Sequence, residues 1–260
     1  MGKIYVFSNQ KGGVGKTTTA MNLADFVAKA GKKTLLVDLD PQGNLTSGFG
    51  IAKNETEMST YDFMIDNARF EDVVKKTKYP NLDILPSNMD LAGIEIELVS
   101  LPNRERVLKS VLRPVAELYD YIFLDCPPSL GLITLNALTA CNSVIIPIQA
   151  EFFALEGLSQ LMNAIKLIRQ RPNLNPEIEV AGVVLTMYDS RSLMSRQVAE
   201  EIRKFFGKKV FNTFIPRNIK LCEAPSYGVP VSAHAAKSKG AIAYGELAKE
   251  FLKSEKDGKA

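Results

Sequence analysis

Histidine occurs once, at His234, and cysteine three times, at Cys126, Cys141 and Cys222. The cysteines are far apart and odd in number, and no Cys-x-x-Cys or His/Cys cluster occurs. That argues against a disulfide framework and a metal site, and it suits a reducing cytosol. A lone His234 reads as a structural or surface residue. No apolar stretch approaches the roughly 20 residues that a membrane helix needs. The first apolar run is short and leads straight into a glycine-rich loop, so no signal peptide is expected. Low-complexity segments, internal repeats and linker-like stretches are lacking too. So are helix-turn-helix and zinc patterns that would read bases.

What is there is ordinary for a globular chain. The 260 residues are 46% hydrophobic and 23% charged. One α/β domain spanning 1–260 is expected, large enough to bury a full core. The net charge of +3 is spread unevenly. From Thr186 onward 14 Lys or Arg stand against 8 Asp or Glu, a net of +6, which leaves −3 on the preceding 185 residues. This asymmetry hints at a basic face on the C-terminal part, although solvated helix surfaces give the same count.

The chain is organised around Gln10-Lys11-Gly12-Gly13-Val14-Gly15-Lys16-Thr17-Thr18. Before it, Ile4-Tyr5-Val6-Phe7 reads as a buried strand. After it, Ala20, Leu23, Ala24, Val27 and Ala28 recur at helical spacing. A glycine-rich turn between a strand and a helix is the setting of a P-loop. Gly12, Gly13, Val14 and Gly15 would turn their N–H groups inward, beside the positive end of a helix. Lys16 supplies a point charge for β- and γ-phosphates. Thr17 stands where a Mg²⁺ ligand is needed, and Thr18 can reach a phosphate oxygen. ATP or ADP with Mg²⁺ is therefore the expected cofactor.

Two further strands end in acids. Thr34-Leu35-Leu36-Val37-Asp38 is followed by Asp40 and a Pro41-Gln42-Gly43-Asn44 loop. Tyr121-Ile122-Phe123-Leu124-Asp125 has Walker B form, delivering Asp125 to a Mg²⁺ shell through water. Carboxylates at strand C-termini beside a P-loop sit where ligands gather in doubly wound sheets. Strands are also expected at 81–86, 143–148, 180–186 and 210–215. Helices are expected at 70–76, 90–99, 104–118, 154–169 and 192–206, and at the tail around Tyr244, Leu247, Ala248, Phe251 and Leu252. The alternation predicts a P-loop NTPase fold, a mostly parallel twisted sheet with helices on both faces.

The run KGGVGKTT resembles the deviant Walker A motif of the ParA/MinD group of ATPases. LLVDLDPQGN resembles the switch I motif of the ParA family, and the PPSLG after Asp125 resembles its switch II. With Ile215-Pro216-Arg217-Asn218 and Glu223-Ala224-Pro225-Ser226-Tyr227-Gly228, the matches cover most of the chain and resemble the ParA/Soj subgroup of chromosome- and plasmid-partitioning ATPases. The resemblance implies that Lys11 reaches across a nucleotide-sandwich homodimer to the partner's phosphates. It implies that Asp40 positions or activates the attacking water and that Asp38 lies near the Mg²⁺ shell. It places Pro216 and Asn218 at the adenine, in a strand-end loop. It also implies slow ATP hydrolysis, an ATP-bound dimer that binds DNA without sequence preference, and a ParB-type centromere-binding partner that stimulates release. DNA-contacting arginines fall in the basic part of the chain, with Arg191 and Arg217 the best positional matches. Their contacts should be to phosphates. A cytoplasmic, nucleoid-associated protein without stable membrane binding follows.

Three rivals differ at identifiable residues. A MinD-like membrane switch needs a basic helix with large apolar residues at the extreme end, where this chain carries Ser254-Glu255-Lys256-Asp257-Gly258-Lys259-Ala260. A cluster carrier of the nitrogenase iron-protein type needs bridging cysteines, and neither Cys126 nor Cys141 makes a convincing pattern. A metabolic enzyme of the dethiobiotin-synthetase type would turn over a small carboxylate without a partner.

Overall fold

In the computed structural model, which describes residues 2–151 and 154–258, seven strands form one sheet. They are β1 (Lys3–Phe7), β2 (Thr34–Asp38), β3 (Lys75–Lys76), β4 (Leu82–Leu85), β5 (Tyr121–Asp125), β6 (Ser143–Gln149) and β7 (Glu179–Thr186). Their spatial order is β3-β4-β2-β5-β1-β6-β7, and every pair is parallel except β3 with β4. Strands β2 and β5 are buried at all five residues. That burial explains their unbroken apolar runs: both faces of a parallel sheet are covered.

The alternation of side chains sorts the core into two halves. Ile4, Val6, Leu35, Val37, Ile122 and Leu124 face one cluster, which includes Leu108, Leu112, Ile133, Ala137, Val198 and Ile202 from the helices Val107–Val115, Leu132–Ala140 and Leu193–Phe206. Tyr5, Phe7, Leu36, Tyr121 and Phe123 face the other, with Leu23, Tyr244, Leu247 and Phe251 from the helices Lys16–Lys29 and Lys239–Lys256. Phe251 meets Tyr5, Tyr121 and Phe123 edge-on, with centroids 5.1, 5.5 and 5.8 Å away. Truncating such a ring to alanine costs about 3–5 kcal/mol. The expected α/β sheet with helices on both faces is what the chain forms.

Several local expectations are corrected. Residues 210–215 do not extend the sheet as a strand; only Val210 bridges Val183 and Pro216 bridges Tyr188. Between them the Glu250 carboxylate accepts the backbone N–H of Asn212 and Thr213 at 2.7 and 3.0 Å, so those donors serve a helix rather than β7. The Phe211 ring lies where a side chain on Gly182 would be, 2.3 Å from its ideal Cβ. Lys75 and Lys76, expected to end a helix, form β3 instead. The helix stops at Val73, and Thr77 Oγ1 donates to the Leu82 carbonyl at 2.7 Å, closing a hairpin onto β4. The expected helix 90–99 divides into a 3₁₀ turn Met89–Gly93 and a helix Ile94–Ser100. Glu223–Ser226, expected in a loop, complete a helix Ile219–Ser226 whose N-cap is Asn218. The tail helix runs to Lys256, and Lys259 and Ala260 of the polar end lie outside the described residues.

Candidate functional site

The C-termini of β1, β2 and β5 lie side by side, with Phe7 and Asp38 both in register with Asp125. The loop after β1 turns on Gly13 and Gly15, at φ 73° and 84°, where a side chain would be strained. Gly15 is the N-cap of the helix Lys16–Lys29, so the unpaired N–H groups of its first turn face the loop. Lys16 is 7% exposed, and its Nζ donates to the Lys11 carbonyl at 3.4 Å. Burial lowers its pKa, opposed by the Asp125, Cys126 and Asp40 charges. The Lys11 side chain points elsewhere: its Nζ lies 3.4 Å from Glu151 Oε2. The Lys11 N–H donates to Asn9 Oδ1 at 3.0 Å, and Asn9 is held in turn by the Pro147 carbonyl at 2.8 Å.

The two strand-end acids are neighbours with opposite surroundings. Asp38 accepts from Thr46 N and Oγ1 at 2.8 and 2.7 Å and from Asp40 N at 3.2 Å. Burial still pushes its carboxyl up to about 6, because these bonds only partly offset desolvation. Asp125 is fully buried and neither carboxylate oxygen has a hydrogen-bond partner. Burial, then the Asp38 charge, hold its carboxyl well above the usual range, while the nearby Thr17 hydroxyl and Lys16 ammonium pull the other way. Asp40 accepts from Gln42 N at 2.9 Å, and its carbonyl takes the Ser87 hydroxyl at 2.8 Å. That fixes the carboxylate at the rim, where it lines the cleft.

The cleft encloses about 630 Å³ and is bordered by Gly12, Gly13, Gly15, Lys16, Thr17 and Thr18 on one side and by Asp40, Gln42, Asn44 and Ser47 on another. Met187, Pro225 and Ser226 close the far end. The chain thus gathers the loop, Asp40, Asp38 and Asp125 at one place. Pro216 and Asn218 are not among the cleft's lining residues. Asn218 Oδ1 is committed to Lys220 N at 3.1 Å, and it is Pro225 and Ser226, from the helix it caps, that border the cleft. A Mg²⁺ ion fits this donor set: the orphaned Asp125 carboxylate has free lone pairs, and Thr17 starts the helix beside it. Among the described residues no group of three or more His, Cys, Asp or Glu could hold a metal ion unaided. Mg²⁺ sites that use one or two protein groups, several waters and substrate phosphates need no such group.

Both candidate DNA-contacting arginines lie on the segments that follow β7, and both are paired locally. The Arg191 side chain, 89% exposed, makes two bonds to Asp189 at 3.1 Å each. Arg217, 71% exposed, lies 3.7 Å from Glu151 Oε1. One carboxylate therefore holds both Arg217 and Lys11. Three residues that sequence reasoning passed over shape the site. Thr46 saturates Asp38, Glu151 joins the two cations, and Thr186 Oγ1 donates to the Val14 carbonyl at 2.8 Å. Thr46 follows closely on the Asp-Pro-Gln-Gly-Asn loop, which is a usable signal. Thr186 ends an apolar run, and nothing in its spacing marks it.

A glycine-rich loop between β1 and a helix, with two strand-end carboxylates beside it, defines a P-loop nucleotide-binding protein. Comparison with known proteins narrows this. The model of a family described as "AAA domain" matches residues 2–180. The sporulation initiation inhibitor protein Soj of Bacillus subtilis is 53% identical over 96% of this chain and 98% of its own. The chromosome-partitioning ATPase Soj of Treponema pallidum is 49% identical over 97% and 98%. Among solved structures, a cobyrinic acid a,c-diamide synthase from Mycobacterium smegmatis, with a bound ATP analogue and magnesium, superposes with a TM-score of 0.87. It is 35% identical and covers 99% of this chain and 97% of that one. The chain belongs to the Soj/ParA family of chromosome-partitioning ATPases, within that AAA-domain family.

Proposed function

We propose that this chain is an ATP-driven DNA-segregation switch. ATP binding closes a homodimer that holds DNA without sequence preference, and slow hydrolysis, stimulated by a ParB-type centromere-binding partner, releases it. The observation that carries the reading is Asp125, a fully buried carboxylate at a strand end beside Lys16 and Thr17, which burial and the Asp38 charge hold well above its usual pKa. Ionising a carboxyl so buried is costly even with Lys16 and Thr17 nearby, and a bound cation at that position offsets the cost.

The roles divide among the residues on this reading. The N–H groups of residues 12–18 and the Lys16 ammonium bind the phosphates. A Mg²⁺ ion held there would supply positive charge to offset the negative charge of the phosphates. Thr17 and Asp125 hold it, the latter through water, with Asp38 as a fixed neighbour. Asp40 orients the attacking water and takes up its proton. Lys11 leaves Glu151 to reach the partner subunit's phosphates. The base lies toward Met187 and Pro225, with Pro216 and Asn218 shaping that wall from behind. Arg191 and Arg217 contact DNA phosphates, and dimerisation doubles those contacts at high effective concentration. Work at a nucleoid in the cytoplasm follows.

Three observations favour this over rivals. The apolar face of the last helix, Tyr244, Leu247 and Phe251, is buried against the sheet, leaving no large apolar stripe for a lipid surface. No helix among the described residues is long and apolar enough to cross a membrane. Among the described residues Lys16 is the one cation lining the cleft, and on this reading it serves the nucleotide's phosphates, which leaves no second lining cation for the small carboxylate of a metabolic enzyme. The deciding experiment is DNA binding by the purified protein with ATP, with ADP and without nucleotide. Tight, salt-sensitive binding with ATP alone is expected. Binding indifferent to nucleotide and salt would overturn the reading.

A further inference from the structure

The phosphate loop is held from behind by a residue outside every motif. Thr186, the last residue of β7, is 2% exposed, and its hydroxyl donates to the Val14 carbonyl at 2.8 Å. Its methyl carbon lies 3.7 Å from where a Cβ on Gly15 would stand, so side chain and loop are in direct contact. Val14 is itself 1% exposed and faces the interior, whereas Gly13, Gly15 and Lys16 border the cleft. In a planar trans peptide the carbonyl of one residue and the N–H of the next point in opposite directions. A Val14 carbonyl drawn inward therefore turns the Gly15 N–H outward, toward the cleft. Gly15, at φ 84°, is the joint that permits this turn.

We infer that Thr186 is a positioning residue for phosphate binding: its hydroxyl fixes the Val14–Gly15 peptide so that the Gly15 N–H is presented to the nucleotide's phosphates. The inference rests on the nucleotide reading above. A flexible glycine-rich loop has many peptide orientations, and a preformed one avoids the entropy of selecting it on binding. Thr186 also ties the loop to the rest of the molecule. Its carbonyl accepts Ala150 N at 3.4 Å, on the segment that carries Glu151. The next residue, Met187, has φ 50° and lines the cleft. Tyr188 then donates to the Ile215 carbonyl at 3.0 Å, two residues before Arg217.

The test compares Thr186→Val, which keeps the shape and removes the hydroxyl, with Thr186→Ser, which keeps the hydroxyl. Thr186→Ala replaces the valine variant should the latter pack poorly. Mg-ADP affinity is measured by calorimetry, with AMP as the control that lacks a β-phosphate. Mg-ADP binding should weaken about tenfold in Thr186→Val, a change of about 1.4 kcal/mol, and stay within about twofold of wild type in Thr186→Ser. AMP affinity should move little. In parallel, the Gly15 amide resonance of the nucleotide-free protein should shift in the valine variant and hold in the serine variant. That readout needs no ligand. If wild type binds no Mg-ADP, the nucleotide reading falls, and the amide shift then decides whether Thr186 orients the peptide. Unchanged Mg-ADP affinity with only a lower melting temperature would overturn the inference, as would equal losses in serine and valine variants or an unmoved Gly15 amide.

Discussion

The phosphate end of the cleft and the exposed surface after β7 are built on different principles. At the phosphate end Asp38, Asp125 and Lys16 sit on strand termini or a helix start and are buried, and hydrogen bonds position the groups: Asp38 by Thr46 and Asp40, the loop by the Thr186 hydroxyl, Lys16 by the Lys11 carbonyl. On the outer surface, the segments after β7 carry Arg191 and Arg217, both largely exposed and each resting on a nearby acid. Charges at the phosphate end act at short range with little water between them, so single changes there have large effects. Charges on the outer surface are screened and exchange partners readily. On the proposed reading, a switch that reads a nucleotide in one region and holds a polyanion on the other needs this contrast.

The sharpest way to break the comparison is Asp40→Ala. A single positioned acid/base group contributes about 10²–10⁴-fold to a rate. Turnover should fall by that factor while ATP binding persists, so the variant accumulates as a dimer visible by light scattering. Normal turnover in a monomeric variant would remove Asp40 from the chemistry. Next in size is Arg217→Glu. DNA affinity falls by about 0.9 log units per log unit of salt for each phosphate neutralised, and a dimer presents the residue twice. Binding at low salt should weaken by about 10–100-fold and the salt slope should flatten by about 2, with ATP-dependent dimerisation intact. An unchanged slope would place the DNA on another face.

How much of this was legible in the residues follows the same divide. The loop, Asp38, Asp40 and Asp125 are written in contiguous motifs because a strand-loop-helix or strand-end acid needs those residue types at that spacing. The apolar runs of β1, β2 and β5 were legible because a parallel sheet buries both faces. The failures were tertiary. Residues 210–215 have a strand's composition, and Phe211 and Ile215 still donate to β7, but Glu250, far along the chain, takes the Asn212 and Thr213 N–H groups between them and breaks the ladder. Asn218 in its loop was visible, yet its commitment as the N-cap of a helix was not. The pairing of Lys11 and Arg217 with one carboxylate joins positions 11, 151 and 217, which no local pattern connects.

The contrast between Asp38 and Asp125 sets the third prediction. Burial holds both carboxyls above their ordinary pKa, so each ionised form is better tolerated in the unfolded chain. A raised carboxyl subtracts stability as pH climbs through the unfolded value toward the folded one, and the loss is complete above the latter. For Asp38 that window runs from 3.8 to about 6. For Asp125, burial and the Asp38 charge outweigh the pull of the Thr17 hydroxyl and the Lys16 ammonium, so Asp125→Asn should stabilise the nucleotide-free protein at pH 7.5 by about 1–3 kcal/mol. Each kcal/mol is worth about 2–4 °C in melting temperature for a chain of this size. The gain should vanish below pH 4, where both chains carry a neutral group. The extra thermal protection that Mg²⁺ adds to ATP should disappear in the same variant. A destabilised Asp125→Asn at neutral pH, with Mg²⁺ protection intact, would mean that the carboxylate is already compensated by a partner in solution.

The smallest effect joins the two regions. Glu151, about half exposed, lies 3.4 Å from Lys11 and 3.7 Å from Arg217, and Gln149 donates to it as well. On the proposed reading both cations must leave it, Lys11 for the partner subunit and Arg217 for DNA. Exposed pairs of this kind are worth about 0.2–1 kcal/mol, so the restraint is weak, and it acts on two steps of one cycle. Glu151→Gln should lower the ATP concentration for half-maximal DNA binding by about 2–5-fold at low salt, with the difference shrinking as salt screens the pair. The substitution also adds one unit of positive charge, which by itself favours DNA. Glu117→Gln, an exposed change at the opposite end of the sheet, supplies the control for that bulk effect. An equal gain in both variants would reduce Glu151 to general electrostatics. A loss of DNA binding in Glu151→Gln alone would reverse its role: the carboxylate would then hold Arg217 in the pose that DNA requires, and the two regions would be coupled by attraction rather than by release.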